Sequence, residues 1–179
     1  DVSENLPRIL HLSLIARIHQ GSGIFQQLAL EREAARALGI RWSAEVFAPH
    51  APGIDGIDIP NRAPQWLEST NEQSLLSRTR MNVSLRRALY RWLPTVENDY
   101  DIILVRYIMH DRRLSRFMRT HSPLMGLVHH ACEVPELLGL DGPIGRARAA
   151  AEAVVGRRTV RAADVLLAVT SEIAEYELA

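Results

Sequence analysis

The sequence predicts an α/β protein of the doubly wound type, a Rossmann-like parallel sheet with helices on both faces. Five short apolar segments alternate with segments of helical periodicity along the 179 residues. The chain opens with a strand, a glycine-containing loop, a helix and a second strand, which is the repeating unit of a parallel sheet. Right-handed crossovers then distribute the helices over both faces of the sheet. We expect residues 1–179 to form a single domain.

The predicted elements follow from apolar runs and from residues that end helices. The first strand is a short apolar run after Pro7, and the first helix is closed by Gly39. Residues 49–70 are rich in Pro and Gly and predict a long, mostly irregular loop. The predicted strands are 8–14, 41–48, 101–107, 125–129 and 164–169, and the predicted helices are 24–38, 71–93, 111–120, 135–138, 146–163 and one that begins near 171.

Bulk composition narrows the class of protein. Hydrophobic residues make up 47% and charged residues 23% of the chain, which is typical of a globular protein with a core. The formal net charge is zero, so we expect no nucleic-acid partner. A single cysteine, Cys132, excludes an internal disulfide and indicates a reducing compartment. The start of the chain lacks a signal-peptide pattern and no segment has about 20 apolar residues, so we expect a cytoplasmic location.

Four motifs at strand ends share an order with a known family. They are Gly21-Ser22-Gly23 after the first strand, YDIILVR at 100–106, LVHHACE at 127–133 and ADVLLAVTSE at 163–172. In this order they resemble the N-terminal domain of family-4 retaining glycosyltransferases of the GT-B fold. Two departures are visible: Ser22 separates glycines that are often adjacent in the family, and the strand-end histidine is doubled, with His130 aligned to the family position.

The resemblance implies a function that this chain completes only with a second domain. It implies transfer of a sugar from a nucleotide-sugar donor to a saccharide, lipid-linked or small-molecule acceptor, with retention of configuration. It also implies that a C-terminal domain outside residues 1–179 supplies the nucleotide pocket, so we expect no turnover from this chain alone. No metal or other cofactor is expected, because helix N-termini and basic residues would neutralise the leaving diphosphate.

The glycine motif and the paired histidines are the first candidate site residues. Gly21, Ser22 and Gly23 precede a helix N-terminus, which suits a phosphate, and the resemblance implies that they face the donor diphosphate; a simple tight turn is the alternative. His129 and His130 should point to opposite sides of the sheet edge, so at most one faces the cleft. The resemblance implies that His130 contacts the donor sugar or the reacting centre; a buried core histidine is the alternative.

Other strand-end residues are candidates for the acceptor side. Glu133 is expected to bind an acceptor hydroxyl or to serve as a base, or else to cap a helix. Arg106 suits an anionic acceptor, or an ion pair with Asp111. Ser171 lies near the cleft and is expected to cap the last helix together with Thr170. A metal site around Cys132 is disfavoured, because the spacing matches no common zinc motif.

The long helix at 71–93 offers a different kind of surface. It carries a basic face and an apolar stripe, and Arg86, Arg87, Arg91 and Trp92 are candidates for contact with anionic lipid. A stripe that packs on the sheet is the favoured alternative. Two rival functions remain for the whole chain: an epimerase of sugar nucleotides with the same two-domain shape, and a non-catalytic Rossmann-like binding module.

Overall fold

The computed structural model describes residues 6–16, 21–50, 58–68, 74–121, 123–140 and 142–178. The strands are β1 Arg8–Leu14, β2 Arg41–Phe47, β3 Ile102–Arg106, β4 Leu124–His129 and β5 Val165–Ala168. The helices are α1 Gly21–Ala37, α2 Leu75–Trp92, α3 Arg112–Thr120, α4 Glu133–Leu138, α5 Pro143–Val160 and α6 Ser171–Leu178, with 3₁₀ turns at Leu93–Thr95 and Glu97–Asp99.

The predicted fold class is confirmed. All five strands are parallel, in the order β2-β1-β3-β4-β5, and helices flank the sheet. β2 lies on one side of β1, and β3, β4 and β5 follow on the other side, so the strand order changes direction at β1, as it does in doubly wound sheets. The chain forms two compact units, residues 1–103 and residues 104–179, which divide within β3.

The first unit is built around β1 and β2. The two strands pair in parallel from Arg8 opposite Arg41 to Leu14 opposite Phe47. Buried side chains of α1 pack with those of β2 in one apolar cluster that includes Ile24, Phe25, Leu28, Ala44 and Val46. Burial of each large apolar side chain contributes about 1.5–3 kcal/mol relative to an exposed one, so this cluster fixes the register of the pair.

The ends of α1 correct one prediction and confirm another. Residues 21–23 were predicted as a loop, but they form the first turn of α1. The N–H groups of a first turn have no partner within the helix, so glycine costs less there than farther along the helix. Gly39 has a φ of +70°, and the N–H of Ile40 donates to the carbonyl oxygen of Ala35 at 2.8 Å. The predicted glycine cap is therefore confirmed.

Helix α2 turns its apolar stripe into the core. Ser74 caps it by accepting the N–H of Ser77 at 3.2 Å, and Met81, Leu85 and Leu89 are buried. The helix was predicted to begin at residue 71; residues 71–73 lie outside the described part, and α2 begins at Leu75. The stripe therefore packs against the protein, as the favoured alternative predicts.

Part of the predicted loop at 49–70 is tied to the end of β2. Parallel bridges join Val46 to Asn61 and His50 to Glu68. The Asn61 amide accepts the N–H of Ala48 at 3.2 Å and donates to the carbonyl oxygen of Ala48 at 3.0 Å. Residues 58–68 thus follow the edge of the first unit without forming a strand, and residues 51–57 and 69–70 lie outside the described part.

The second unit packs α3, α4 and α5 around β4 and β5. These strands pair in parallel from Gly126 opposite Val165 to His129 opposite Ala168. A Cβ atom at Gly126 would lie 2.6 Å from Leu104 Cδ2, so a larger residue there would displace the end of the Leu104 side chain. Within the described ranges, no helix has the length and apolar content needed to cross a membrane.

Candidate functional site

A pocket of about 580 Å³ lies within the second unit. Its polar lining comes from the ends of β3 and β4 and from three helices, where Tyr107 follows β3 and His129 ends β4. Ligands of parallel α/β sheets bind outside the carboxyl ends of the strands, and this pocket occupies such a position. The remaining polar side chains that line it are Glu133, Glu152, Arg157, Arg161, Tyr176 and Glu177.

Backbone hydrogen bonds hold the two strand-end residues in place. The N–H of Tyr107 donates to the carbonyl oxygen of Val128 at 3.0 Å, and the N–H of Val169 donates to that of His129 at 3.2 Å. The Tyr107 and His129 rings stack, with centroids 4.3 Å apart. The imidazole is therefore fixed between the sheet edge and the pocket.

His129 is the central group of the pocket. Its side chain is 1% exposed, and its Nδ1 lies 2.9 Å from Glu177 Oε1 and 3.5 Å from Glu133 Oε1. These are ion-pair distances, but neither ring nitrogen is aligned for a hydrogen bond with any group in the described part of the chain. A buried polar group without a hydrogen bond costs about 1–3 kcal/mol, so the arrangement favours a ligand that would satisfy it.

Glu152 is also buried, but its carboxylate has donors. The Tyr107 hydroxyl donates to Oε1, and the N–H of His110 donates to Oε2 at 2.7 Å. The Nδ1 atom of His110 lies 2.8 Å from the same Oε2. His110 has a φ of +57°, in the left-handed region. In this conformation both its backbone N–H and its Nδ1 atom contact Glu152 Oε2. Glu152 therefore serves the structure of the pocket wall.

Carboxylates dominate the electrostatics around His129, and the two arginines that line the pocket, Arg157 and Arg161, are exposed. Burial raises the pKa of Glu177, and Glu133 and Glu152 raise it further, while His129 opposes the shift. Burial, the hydrogen bond to Glu152 and the nearby carboxylates also raise the pKa of Tyr107, so its phenol stays a donor near neutral pH. The pocket is therefore suited to a cation or to a ligand rich in hydroxyl donors.

The neighbouring thiol is not activated. Desolvation raises the pKa of Cys132, and the carboxylates of Glu133 and Glu136 raise it further. Because the thiolate is the nucleophile, this environment disfavours a reactive cysteine.

The structure brings together only some of the predicted site residues. His129 and Glu133 line the pocket, whereas His130 and Arg106 are half-buried and do not line it. Gly21, Ser22 and Gly23 belong to the first unit, where they open α1. Ser171 is exposed at the start of α6, and the cap comes from Thr170, whose Oγ1 accepts the N–H of Ile173 at 3.3 Å. The capping role predicted for Ser171 thus belongs to Thr170.

Tyr107, Glu152 and Glu177 were missing from the predicted site. Glu152 is the single acidic residue of α5, and Gly156 follows it by one helical turn. A Cβ atom at Gly156 would lie 3.0 Å from the Tyr107 hydroxyl oxygen and 3.2 Å from Glu152 Oε1, so the glycine leaves room for that contact. A single acidic residue one turn before a glycine, in an alanine-rich helix, is the feature of the sequence that could have identified Glu152.

The lipid-facing candidates divide between core and surface. Trp92 is half-buried and packs edge-to-face on Phe47, with ring centroids 5.7 Å apart. Arg62 lies over the same indole, with its Cζ 5.5 Å from the ring centroid. Arg87 and Arg91 are exposed and Arg86 is half-buried. Arg87 and Arg91 are therefore the exposed residues of this set, and Trp92 is not one of them.

Fold and site define an α/β protein with a carboxylate-rich pocket at the carboxyl ends of parallel strands. No known family matches the chain, and no curated protein matches it. A crystal structure of a Vibrio parahaemolyticus protein of unknown function is similar at a TM-score of 0.46 and 10% identity, over 94% of this chain and 96% of that one.

Proposed function

We propose that this chain is the acceptor-side domain of a retaining glycosyltransferase and that the pocket binds a polyhydroxylated acceptor. The observation that carries the proposal is the set of buried carboxylates beside an imidazole at the carboxyl ends of β3 and β4. Carboxylates accept hydrogen bonds from vicinal hydroxyls, and such charged hydrogen bonds are the stronger kind. A volume of about 580 Å³ falls in the range of small-molecule pockets.

In this proposal Glu133 holds the acceptor hydroxyl that is to be glycosylated. His129, rather than His130, is the histidine that faces the acceptor, because it lines the same pocket as Glu133. The exposed side chains of Arg157 and Arg161 suit an anionic group on the acceptor. Gly21 to Gly23 keep the proposed role at the donor diphosphate, since they form a helix N-terminus.

Binding of saccharides to the 179-residue chain tests the acceptor half of the proposal. Saturation-transfer NMR with a panel of neutral and acidic mono- to trisaccharides should detect binding, and Glu133→Gln should weaken it by about tenfold, as expected for loss of a charged hydrogen bond. Glu136→Gln is the matched control, since Glu136 is exposed on the same helix. Binding that Glu133→Gln leaves unchanged would refute this use of the pocket.

Label transfer separates the glycosyltransferase from a binding module, the second candidate. A pocket lined by buried polar side chains would suit either function. The two functions differ because a glycosyltransferase also needs a donor site, whereas a binding module does not. The product of the complete gene should transfer label from a nucleotide sugar to a saccharide that the chain binds, and NMR of the product should show the donor's anomeric configuration. Saccharide binding without any transfer would favour the binding module.

A cytoplasmic, peripheral location at the inner face of the membrane is part of the same proposal. It rests on the exposed Arg87 and Arg91 of α2. A basic surface binds anionic lipid with an affinity that falls as salt rises. Co-sedimentation with phosphatidylserine vesicles should therefore be lost in the double variant Arg87→Gln/Arg91→Gln, and absence of binding by the unchanged chain would remove this part of the proposal.

A further inference from the structure

We infer that His129, Glu133 and Glu177 form a binding site for one divalent transition-metal ion. The inference goes beyond the proposed sugar transfer, for which no metal is expected. It rests on the arrangement of three side chains in the second unit: one ligand atom from each lies within 4.8 Å of the other two. One imidazole nitrogen and two carboxylate oxygens are ligands that Zn²⁺, Mn²⁺ and Co²⁺ accept.

The separations of the ligand atoms suit a metal of this class. Metal–nitrogen and metal–oxygen bonds are about 2.0–2.2 Å long, so neighbouring ligand atoms on one ion lie about 3.0–3.4 Å apart. The Nδ1 atom of His129 lies 2.9 Å from Glu177 Oε1 and 3.5 Å from Glu133 Oε1. Both distances are close to this range, and the Glu133 and Glu177 oxygens lie within 4.8 Å of each other, so the side chains would have to bring these two oxygens to the same separation.

The buried imidazole is the second observation. His129 is 1% exposed and lines the pocket, and its nitrogens have no aligned hydrogen-bond partner within the described residues. A metal-bound histidine needs its ligating nitrogen unencumbered by a proton donor, and Nδ1 faces two carboxylate oxygens that cannot donate when ionised. The His129 ring also stacks on Tyr107, which holds its orientation and so lowers the entropy cost of ordering the ring when a metal binds.

The carboxylates next to His129 favour a cation at that point of the pocket, whereas Arg157 and Arg161 are exposed members of its lining. Glu152 is engaged by donors from Tyr107 and His110, whereas the carboxylates of Glu133 and Glu177 both lie at the Nδ1 atom of His129. Two carboxylates facing one imidazole leave net negative charge in a largely buried space. A divalent ion would neutralise it, and buried charges are normally paired or coordinate metals.

Titration of the metal-free chain with Co²⁺ alone tests the site. We expect one Co²⁺ per chain, with visible absorption bands of protein-coordinated cobalt that added Zn²⁺ removes. Glu177→Gln should weaken binding at least tenfold, because it replaces an anionic ligand with an amide. Glu175→Gln, an exposed change on the same helix, should leave binding unchanged.

Two further variants keep the test decisive. His129→Ala should abolish the cobalt bands, and His130→Gln, which alters the half-buried neighbour outside the pocket, should retain them. If His129→Ala does not fold, Glu177→Gln still gives the answer, since this change is isosteric and replaces only one carboxylate oxygen. No Co²⁺ binding, or binding equal in Glu177→Gln and the unchanged chain, would overturn the inference without bearing on saccharide transfer.

Discussion

Among the described residues, each unit has one buried histidine beside a glutamate, and the two histidines differ in the hydrogen bonding of their Nδ1 atoms. In the first unit, His11 Nδ1 forms a 2.6 Å hydrogen bond with Glu31 Oε2, and Gln27 donates to Glu31 Oε1 at 2.8 Å. In the second unit, His129 lies near the carboxylates of Glu133 and Glu177 without alignment for a hydrogen bond to either.

The difference separates a structural pair from a ligand site. His11 lies within β1 and meets one carboxylate that is 30% exposed, so water also solvates Glu31. His129 lies at the end of β4, lines a pocket and meets two largely buried carboxylates. The same two residue types thus form a hydrogen-bonded network at His11 Nδ1 in one unit and leave His129 Nδ1 without an aligned partner in the other, while Nε2 of both rings has no hydrogen-bond partner among the described residues.

The largest expected effect is stabilisation by a metal ion at one histidine only. At free Co²⁺ of about 100 times its Kd, the free energy of unfolding should rise by about 2.7 kcal/mol. Glu177→Gln should lose most of this gain, because its affinity for Co²⁺ falls. Urea denaturation with and without Co²⁺ measures the effect, and His11→Leu should keep the full gain.

Equal stabilisation of the unchanged chain and of Glu177→Gln would contradict the distinction between the two histidines. It would mean that Co²⁺ binds elsewhere, for example at half-buried histidines such as His50 or His130. The experiment therefore includes Glu175→Gln, which should match the unchanged chain because Glu175 is exposed on the same helix as Glu177.

Tyr107→Phe should cost about 1–3 kcal/mol, because the buried Glu152 carboxylate loses a donor. The variant keeps the aromatic ring that stacks on His129, so its affinity for Co²⁺ should stay unchanged. A double-mutant cycle with Glu152→Gln, measured by urea denaturation, should show coupling between the two positions. Purely additive costs would contradict the assignment of Glu152 to the pocket wall.

The fold could be predicted because its signals are local. The apolar run after Pro7 predicts β1 with its observed bounds, and Gly39 ends α1 as expected. Helix α5 begins at Pro143, three residues before the predicted start, because proline is favoured in a first turn where its missing N–H costs nothing. The glycine motif at 21–23 was predicted as a loop, since glycine patterns do not distinguish a loop from a first helical turn.

The candidate site could be predicted only where it follows strand ends. The ends of parallel strands pointed to His129 and Glu133, and both line the pocket. His129 and His130 are adjacent, and which of them lines the pocket depends on the side of the sheet to which the side chain of His129, the last residue of β4, points. The sequence does not specify this side. Glu152 and Glu177 lie on helices, and their approach to His129 depends on packing between elements distant in sequence.

His11→Leu should cost about 1 kcal/mol, a typical net value for one hydrogen bond, because water can replace the imidazole at the partly exposed Glu31. The leucine fills most of the volume of the ring, so no large cavity follows. Urea denaturation measures the cost. A loss above about 3 kcal/mol would show that the His11 network is buried as tightly as the carboxylates around His129.

The smallest expected effect concerns His121, a histidine whose pKa shift has a single cause and which therefore serves as a reference. Burial lowers the pKa of His121 below 6.5, and its ring stacks on Phe117 with centroids 3.6 Å apart. The unfolded chain takes up the proton first, so the stability from the neutral ring is present above pH 6.5 and is lost as pH falls below it.

His121→Phe keeps the stack but removes the proton, so its Tm should fall slightly less than that of the unchanged chain between about pH 7.5 and 5.5. Thermal unfolding of the metal-free proteins measures the difference. If His121→Phe loses as much stability as the unchanged chain, His121 does not supply the acid sensitivity.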